Sequence, residues 1–231
     1  MTSFTLKIIA LIAMFCDHFG YAYIGHFSIF NLIGRIAFPI FAFQISEGFI
    51  HTKNLRKYFL RLGVFALISQ IPFYLFMNKF FNQTGLYLNI FFTLFLGLLG
   101  IYLYDYIVKL FDKSCLNKKN LGKIIGIAIV FLISYIAEIL NTDYGAWGVI
   151  LVFMFFLFSK NKILRLCSYT LLVIVKYIFP FIQFNYNCIY LILFLATLLP
   201  YVFIDSYNGK QGKKIKYILY LFYPLHLILL Y

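Results

Sequence analysis

Acidic residues are scarce in this chain of 231 residues. It has 7 Asp and Glu against 20 Lys and Arg, and charged residues make up only 12% of the total. Soluble domains are about a quarter charged and about half apolar, whereas 64% of this chain is hydrophobic. A soluble core of this size cannot hide so much apolar surface, and disorder requires low hydrophobicity. The composition therefore excludes both classes and indicates a polytopic membrane protein.

Cysteine and linker-like sequence are also sparse. The four cysteines are scattered and form no C-x-x-C pair, so no metal site is predicted and they are interpreted as small apolar fillers. The apolar run that follows Lys7 is interrupted by Asp17 and His18 and has no small-residue cleavage site after it, so it is interpreted as a first span. Because no linker, repeat or second domain is visible, residues 1–231 are predicted to form one domain.

Long apolar runs dominate the rest of the chain. A transmembrane helix needs about 20 such residues, and nine segments qualify. The sixth is short and begins at Gly145, so the count is eight if that segment is re-entrant. The segments are residues 4–25, 28–50, 57–77, 86–111, 121–140, 145–159, 162–181, 186–204 and 215–231.

Basic residues orient these spans. The formal net charge of +13 would favour nucleic acid in a soluble protein, but in a membrane protein Lys and Arg collect in cytoplasmic loops. With the N-terminus in the cytoplasm, only Lys79 and Lys176 fall in outer segments, and Arg35 lies inside the second span. The sequence therefore predicts an all-α transmembrane bundle with a cytoplasmic N-terminus, in contact with membrane lipid and with no nucleic-acid partner.

Several ionisable residues lie at one depth inside the spans. A rise of 1.5 Å per residue places His18, Arg35 and His226 about 9 to 13 Å below the outer surface, with Asp17 beside them. Ionisable groups in a membrane are costly and usually functional. One interpretation is a polar clamp that only fixes helix packing; the other is a reactive site, because two imidazoles titrate near neutral pH.

A second polar layer lies at the cytoplasmic end of the second span. Glu47 and His51 share a helix face because they are four residues apart, and Arg56, Lys57 and Arg61 follow. One interpretation is a helix-end ion pair before an ordinary basic loop. The other is a mouth that binds the phosphates of an anionic cofactor, since Arg and Lys are the usual phosphate ligands.

The polar motifs of the chain resemble those of the TraX family of membrane proteins. The similarity runs from about residue 7 to residue 226 and is weakest between residues 98 and 200. The motifs are Asp17-His18-Phe19-Gly20; Gly34-Arg35-Ile36-Ala37-Phe38-Pro39-Ile40-Phe41-Ala42-Phe43; Glu47-Gly48; His51-Thr52; Tyr58; Arg61-Leu62; Asn89; Asp143-Tyr144-Gly145 with Gly148; Tyr207-Asn208-Gly209; Tyr223-Pro224; and His226-Leu227.

This resemblance implies a membrane acetyltransferase. The namesake of the family acetylates the N-terminus of conjugative pilin in the inner membrane, and related enzymes take acyl groups from cytoplasmic acyl-CoA. The expected donor is therefore acetyl-CoA. The expected acceptor is an amine or hydroxyl of a peptide, glycan or lipid of the envelope, at the bacterial cytoplasmic membrane.

The two polar layers fit this chemistry. His18 is the expected general base. Asp17 either sets its tautomer or steadies its imidazolium, or it pairs instead with Arg35 or faces the ninth span. Arg35 or His226 would stabilise the oxyanion. Glu47, His51, Arg56, Lys57 and Arg61 would bind the cofactor, whose pantetheine arm would cover about 20 Å between the layers.

Two other functional classes remain open. A small proton-coupled transporter would use the buried ionisable groups as a relay, although the chain lacks the internal repeat of many carriers. A non-enzymatic membrane assembly factor would use them only to hold helices together. The relay residues would be Asp17, His18, Glu47, His51, Glu138 and His226.

Thiol labelling tests the predicted orientation. In a variant without the native cysteines, Asn141→Cys should react with a membrane-impermeant thiol reagent added to intact cells, because residue 141 follows the fifth span on the outer side. Asn117→Cys should react only after the membrane is permeabilised. The opposite pattern would reverse the topology and contradict the depths given above.

Overall fold

Helices account for all nine predicted spans. The computed structural model describes residues 1–25, 27–83, 85–112, 119–184, 186–213 and 215–231, and within these ranges there is no strand, only one isolated bridge. The helices are α1 Ser3–Phe19, continued by a π-helical turn Gly20–Ile24; α2 Ile29–Gly34; α3 Ala37–His51; α4 Leu55–Phe81; α5 Ile90–Asp112; α6 Lys119–Ile139; α7 Gly145–Leu157; α8 Lys162–Gln183; α9 Cys188–Leu198; α10 Pro200–Asp205; and α11 Lys216–Leu230.

The lengths of these helices match a membrane protein. Among the described residues, seven helical segments are long and apolar enough to cross a bilayer, and α7 and α11 are shorter apolar helices. The all-α polytopic bundle is therefore confirmed, and the protein is an integral membrane protein. Its orientation stays a prediction. Lys113, Lys118 and Lys214, which contribute to that prediction, and Asn117 of the labelling test lie outside the described residues.

Two prolines interrupt spans that the sequence predicts as continuous. Pro39 has no N–H to donate to the carbonyl of Arg35 four residues earlier, and its ring would collide with that carbonyl. The predicted span 28–50 is accordingly two helices, α2 and α3, with Arg35 at the break between them. Pro200 begins α10 and separates it from α9 in the same way. The first of these breaks gives Arg35 its position in the site.

The short helix α7 lies at the centre of the bundle. Its 13 residues span about 20 Å, less than the ~30 Å hydrocarbon core of a bilayer. It packs against α3, α5, α6 and α8, and Val149, Leu151 and Val152 are fully buried. A Cβ atom on Gly97 of α5 would lie 2.9 Å from the Val152 side chain, so glycine allows this close approach.

Two ends of the bundle can be distinguished by contacts. One cavity is bordered by Ser3, His51, Thr52, Tyr207, Gly209 and Gln211, and we call this end of the bundle the basic end. There the N–H of Ser3 donates to the carbonyl of Lys210 at 2.9 Å. In the predicted orientation, this end faces the cytoplasm.

The opposite end is formed by the loops that follow α4 and α6, and we call it the Asp143 end. Leu88 and Thr142 form an isolated parallel bridge, and the N–H of Leu88 donates to the carbonyl of Asn141 at 3.0 Å. Backbone hydrogen bonds therefore hold the two loops together and place Asp143 between them.

Candidate functional site

The two predicted histidines form a hydrogen-bonded pair. Nδ1 of His18 on α1 lies 2.9 Å from Nε2 of His226 on α11, and Nδ1 of His226 lies 2.8 Å from the backbone carbonyl oxygen of Phe222. The sequence predicted only that these residues share a depth. The structure brings them into direct contact, with His226 buried and His18 half-buried.

This geometry assigns a tautomer to each neutral ring. A carbonyl oxygen can only accept, so Nδ1 of His226 donates to Phe222 and its Nε2 has a lone pair. Nδ1 of His18 then donates to that lone pair, and Nε2 of His18 keeps a lone pair of its own. His18 is thereby prepared to accept a proton at Nε2, as a general base must.

Asp17 pairs with Arg35 rather than with His18. Nη2 of Arg35 lies 2.9 Å and 3.1 Å from the two carboxylate oxygens of Asp17, and Asn31 donates to the same carboxylate at 3.2 Å. A Cβ atom on Gly34 would lie 2.4 Å from the Asp17 side chain, so this contact requires glycine. Of the two predicted partners of Asp17, the structure selects Arg35.

Asp17, His18 and Arg35 line a cavity at the Asp143 end, which we call the outer cavity, whereas His226 is not among its lining residues. Its volume is about 270 Å³, and it also reaches residues that the sequence did not place in the site. Those additional residues are Tyr21, Tyr87, Asp143, Tyr144, Lys176 and Tyr223.

Lys176 is the clearest correction to the sequence-based site. It was assigned to an outer segment, but it lies within α8 and its Nζ is 3.8 Å from the ring centroid of Trp147 and 4.9 Å from that of Tyr144. A lysine over aromatic rings is held by cation–π attraction, so a cation can stay in the wall of this cavity. Hydropathy alone gives no sign of such a contact.

Asp143 is held in the outer cavity by the loop backbone. Its N–H donates to the carbonyl of Leu88 at 2.8 Å, and the Tyr87 hydroxyl donates to the backbone carbonyl of Asp143 at 3.1 Å. Removal from water raises the pKa of Asp143 to about 7, and the Asp17 charge acts in the same direction, while Arg35 and Lys176 oppose the rise. The signal available in the sequence was the family-like motif Asp143-Tyr144-Gly145.

A second cavity, the inner cavity, opens at the basic end. Its volume is about 420 Å³, and three of the predicted cofactor residues, Glu47, His51 and Arg61, line it. Nε2 of His51 lies 3.4 Å from the Glu47 carboxylate. Arg56 and Lys57 are exposed in the first turn of α4 and are not among the residues lining this cavity.

Unpaired donors in the inner cavity suit an anionic ligand. Nε2 of Gln44 and Nε of Arg61 are buried with no hydrogen-bond partner among the described residues, and Lys7 contributes a further cation to the lining. Buried donors are normally satisfied, so these two nitrogens are suited to a ligand with acceptor oxygens.

The two cavities meet at three residues. Met14, Ile90 and Tyr223 line both of them, and we call these residues the septum. His18 lies one helical turn beyond Met14 on α1, so the histidine pair is beside the place where the cavities approach each other. A group entering the outer cavity would reach His18 directly, and a group entering the inner cavity would reach the septum.

Other intramembrane polar residues have structural partners. Nδ2 of Asn89 donates to the Gln70 side chain and to the carbonyl of Ala66, both at 2.8 Å, which ties α5 to α4. The Glu138 carboxylate accepts from the N–H of Ala146 at 2.9 Å and caps the start of α7. These contacts give buried Asn89 and exposed Glu138 structural roles.

Comparison with known proteins identifies the family of this two-cavity membrane bundle. The family model described as "TraX protein" matches residues 3–231. The "Probable fimbrial assembly protein FimC, serogroup H1" of Dichelobacter nodosus is 30% identical over 251 residues, which cover 99% of this chain and 94% of that protein. An uncharacterized protein of Rickettsia prowazekii (strain Madrid E) is 25% identical over 224 residues, with 92% and 83% covered. No solved structure matches. The chain therefore belongs to the TraX family.

The raised pKa of Asp143 predicts a pH-dependent stability. Because the folded state binds this proton more tightly than the unfolded state, the stabilising contribution is complete at low pH and is lost as pH rises from the ordinary value of 3.8 to about 7. Asp143→Asn cannot titrate. The melting temperature of the detergent-solubilised wild type should therefore fall relative to that of Asp143→Asn between pH 4 and pH 8. Parallel profiles for the two proteins would contradict the assignment.

Proposed function

We propose that the protein is an integral membrane acetyltransferase that moves an acetyl group from acetyl-CoA to an amine or hydroxyl acceptor. The observation that carries this proposal is the position of the histidine pair beside the septum, where the two cavities meet. Acyl transfer requires that two substrates and a base come together. Two separate cavities allow donor and acceptor to approach that base from opposite ends of the bundle.

Family membership supports a role at the cell envelope. The relative from Dichelobacter nodosus is called a "Probable fimbrial assembly protein", and the resemblance to TraX implies acetylation of pilin. The proposed acceptor is therefore the N-terminus of a pilin-like peptide, or another amine or hydroxyl of an envelope glycan or lipid. The proposed location is the cytoplasmic membrane of a bacterium.

The inner cavity is the proposed donor site. The free Nε of Arg61 and the cation of Lys7 would bind the phosphates of acetyl-CoA, and the free Nε2 of Gln44 would donate to an amide oxygen of the pantetheine arm. In the predicted orientation this cavity faces the cytoplasm, where acetyl-CoA is available. The arm would then bring the thioester to the septum.

The chemical step follows from the tautomers of the histidine pair. The acceptor nitrogen or oxygen attacks the thioester carbonyl carbon while Nε2 of His18 takes its proton. The carbon–sulfur bond then breaks, and the sulfur leaves with the electron pair and receives the proton that His18 took from the acceptor. The imidazolium of His18 is stabilised because its Nδ1–H donates to Nε2 of His226, whose orientation the Phe222 carbonyl fixes.

Replacing His18 tests the proposed base. A histidine base contributes about 10²–10⁴-fold in rate, so His18→Ala should lower kcat for acetyl transfer by that factor and leave acetyl-CoA affinity nearly unchanged. His226→Ala should cost less, and the double variant should lose less than the product of the two single losses, because paired residues act as a unit. Near-full turnover by a correctly inserted His18→Ala protein would move the base to His51, beside Glu47.

Replacing basic residues of α4 tests the proposed donor site. Arg61→Gln should raise KM for acetyl-CoA more than it lowers kcat, because Arg61 lines the inner cavity. Arg56→Gln, on the same helix but outside the lining, is the matched comparison and should have a smaller effect. An S-acetyl pantetheine donor without the nucleotide should reduce the Arg61 effect. Equal losses for both variants with both donors would favour an ordinary basic loop.

An assembly role is the second candidate function, and the name of the Dichelobacter nodosus protein favours it. The His18→Ala variant separates the two candidates, because an assembly factor that uses His18 only for packing would still support assembly once it is folded. Mass spectrometry of envelope peptides, glycans and lipids from cells with and without the protein would identify the acetylated acceptor. Ion flux in proteoliposomes would test the transporter class.

A further inference from the structure

Tyr223 lies where the two cavities meet. It is on α11, three residues before His226, and is 2% exposed. Its ring centroid is 5.6 Å from that of His226 and 6.3 Å from that of His18, and the ring packs edge-on against Phe91 at 5.3 Å. The side chain is therefore fixed by aromatic contacts beside the histidine pair.

The hydroxyl proton of Tyr223 has no acceptor in the part of the chain that the structure describes, because the Ile90 backbone group that approaches the hydroxyl oxygen is an N–H and can only donate. A buried donor without an acceptor destabilises a protein, and native proteins rarely retain one without a reason. The other two septum residues, Met14 and Ile90, have no hydrogen-bond donor in their side chains. A carbonyl group that reaches the septum would find its donor at Tyr223.

Arg35, the cation that the sequence suggested for stabilising the oxyanion, already has hydrogen-bond partners. Arg35 donates from Nη2 to the Asp17 carboxylate and from Nε to the carbonyl of Asn31 at 3.1 Å. It also lines only the outer cavity, whereas a thioester that enters from the inner cavity reaches the septum first. Tyr223 borders both spaces and has a free donor.

We propose, on the basis of the proposed function, that Tyr223 is a catalytic residue that donates a hydrogen bond from its hydroxyl to the thioester carbonyl oxygen. As the acceptor attacks, negative charge develops on that oxygen, and a fixed donor there lowers the barrier. The tyrosine proton stays on the tyrosine. The acceptor's proton goes to His18, and the carbon–sulfur electron pair leaves with the thiol sulfur, so the step is balanced without a further reactant.

Replacing Tyr223 with Phe removes only the hydroxyl. Loss of one oxyanion donor costs about 10²–10³-fold in kcat, so Tyr223→Phe should lose that factor while KM for acetyl-CoA stays within about twofold. The matched control is Tyr104→Phe, which removes a hydroxyl from another buried tyrosine, one that lines neither cavity. The control should retain its turnover. A kcat for Tyr223→Phe equal to that of the wild type would overturn the proposal.

Infrared spectroscopy provides a readout that a purely structural role would not change. With ¹³C-carbonyl acetyl-CoA bound in the absence of acceptor, the thioester carbonyl band should lie at lower frequency in the wild type and Tyr104→Phe than in Tyr223→Phe. Identical bands in all three proteins would overturn the assignment of Tyr223. If the wild type binds acetyl-CoA but transfers no acetyl group to any envelope acceptor, the proposed function fails. The band comparison still decides separately whether Tyr223 contacts the carbonyl.

Discussion

The ion pair between Asp17 and Arg35 fixes the rotation of α1, and the rest of the site depends on that rotation. Neighbouring residues on a helix point about 100° apart, so a first helix that directs Asp17 toward α2 must direct His18 elsewhere. In this bundle His18 points toward α11 and meets His226. Two further residues make the pair possible: Gly34 leaves room for the Asp17 side chain, and Pro39 breaks the helix at Arg35.

The septum separates two environments within a small volume. The outer cavity contains the acidic side chains of Asp17 and Asp143 and the basic side chains of Arg35 and Lys176, whereas apolar side chains form most of the boundary itself. Charged groups in a low-dielectric site interact strongly with one another, so the charges of the outer cavity must compensate each other there. The apolar side chains of Met14 and Ile90 border a reactive group placed at this boundary, and apolar surface disfavours water beside such a group.

Much of the bundle could be predicted because membrane spans obey simple rules of length and charge. Counting residues along each span was enough to place His18 and His226 at one depth, since helices have a constant rise. Depth counting fails for residues in loops, so Asp143 was recognised only through its motif. Depth counting also gives no direction around the helix axis. Arg56 and Arg61 are five positions apart and point about 140° away from each other, so they cannot both face one cavity.

Contacts between helices could not be predicted from the sequence, because they depend on the tertiary structure. The aromatic rings that hold Lys176 come from α7 and from the residue before it, and nothing in the apolar run of α8 indicates them. The central position of α7 was similarly hidden, because its shortness suggested a re-entrant segment. Packing of Val152 against Gly97 shows instead that a short helix can fill the middle of a membrane bundle.

The chain of hydrogen bonds that orients the histidine pair ends at the backbone carbonyl oxygen of Phe222. Every amino acid that could replace Phe222 would supply the same oxygen, so no point mutation can delete the group that fixes the two tautomers. A carboxylate in that place would be lost by a single substitution. A substitution at position 222 would remove the ring that stacks on His226 at 5.0 Å but would leave the carbonyl oxygen in place, so sequence variation at this position would conceal the importance of its backbone.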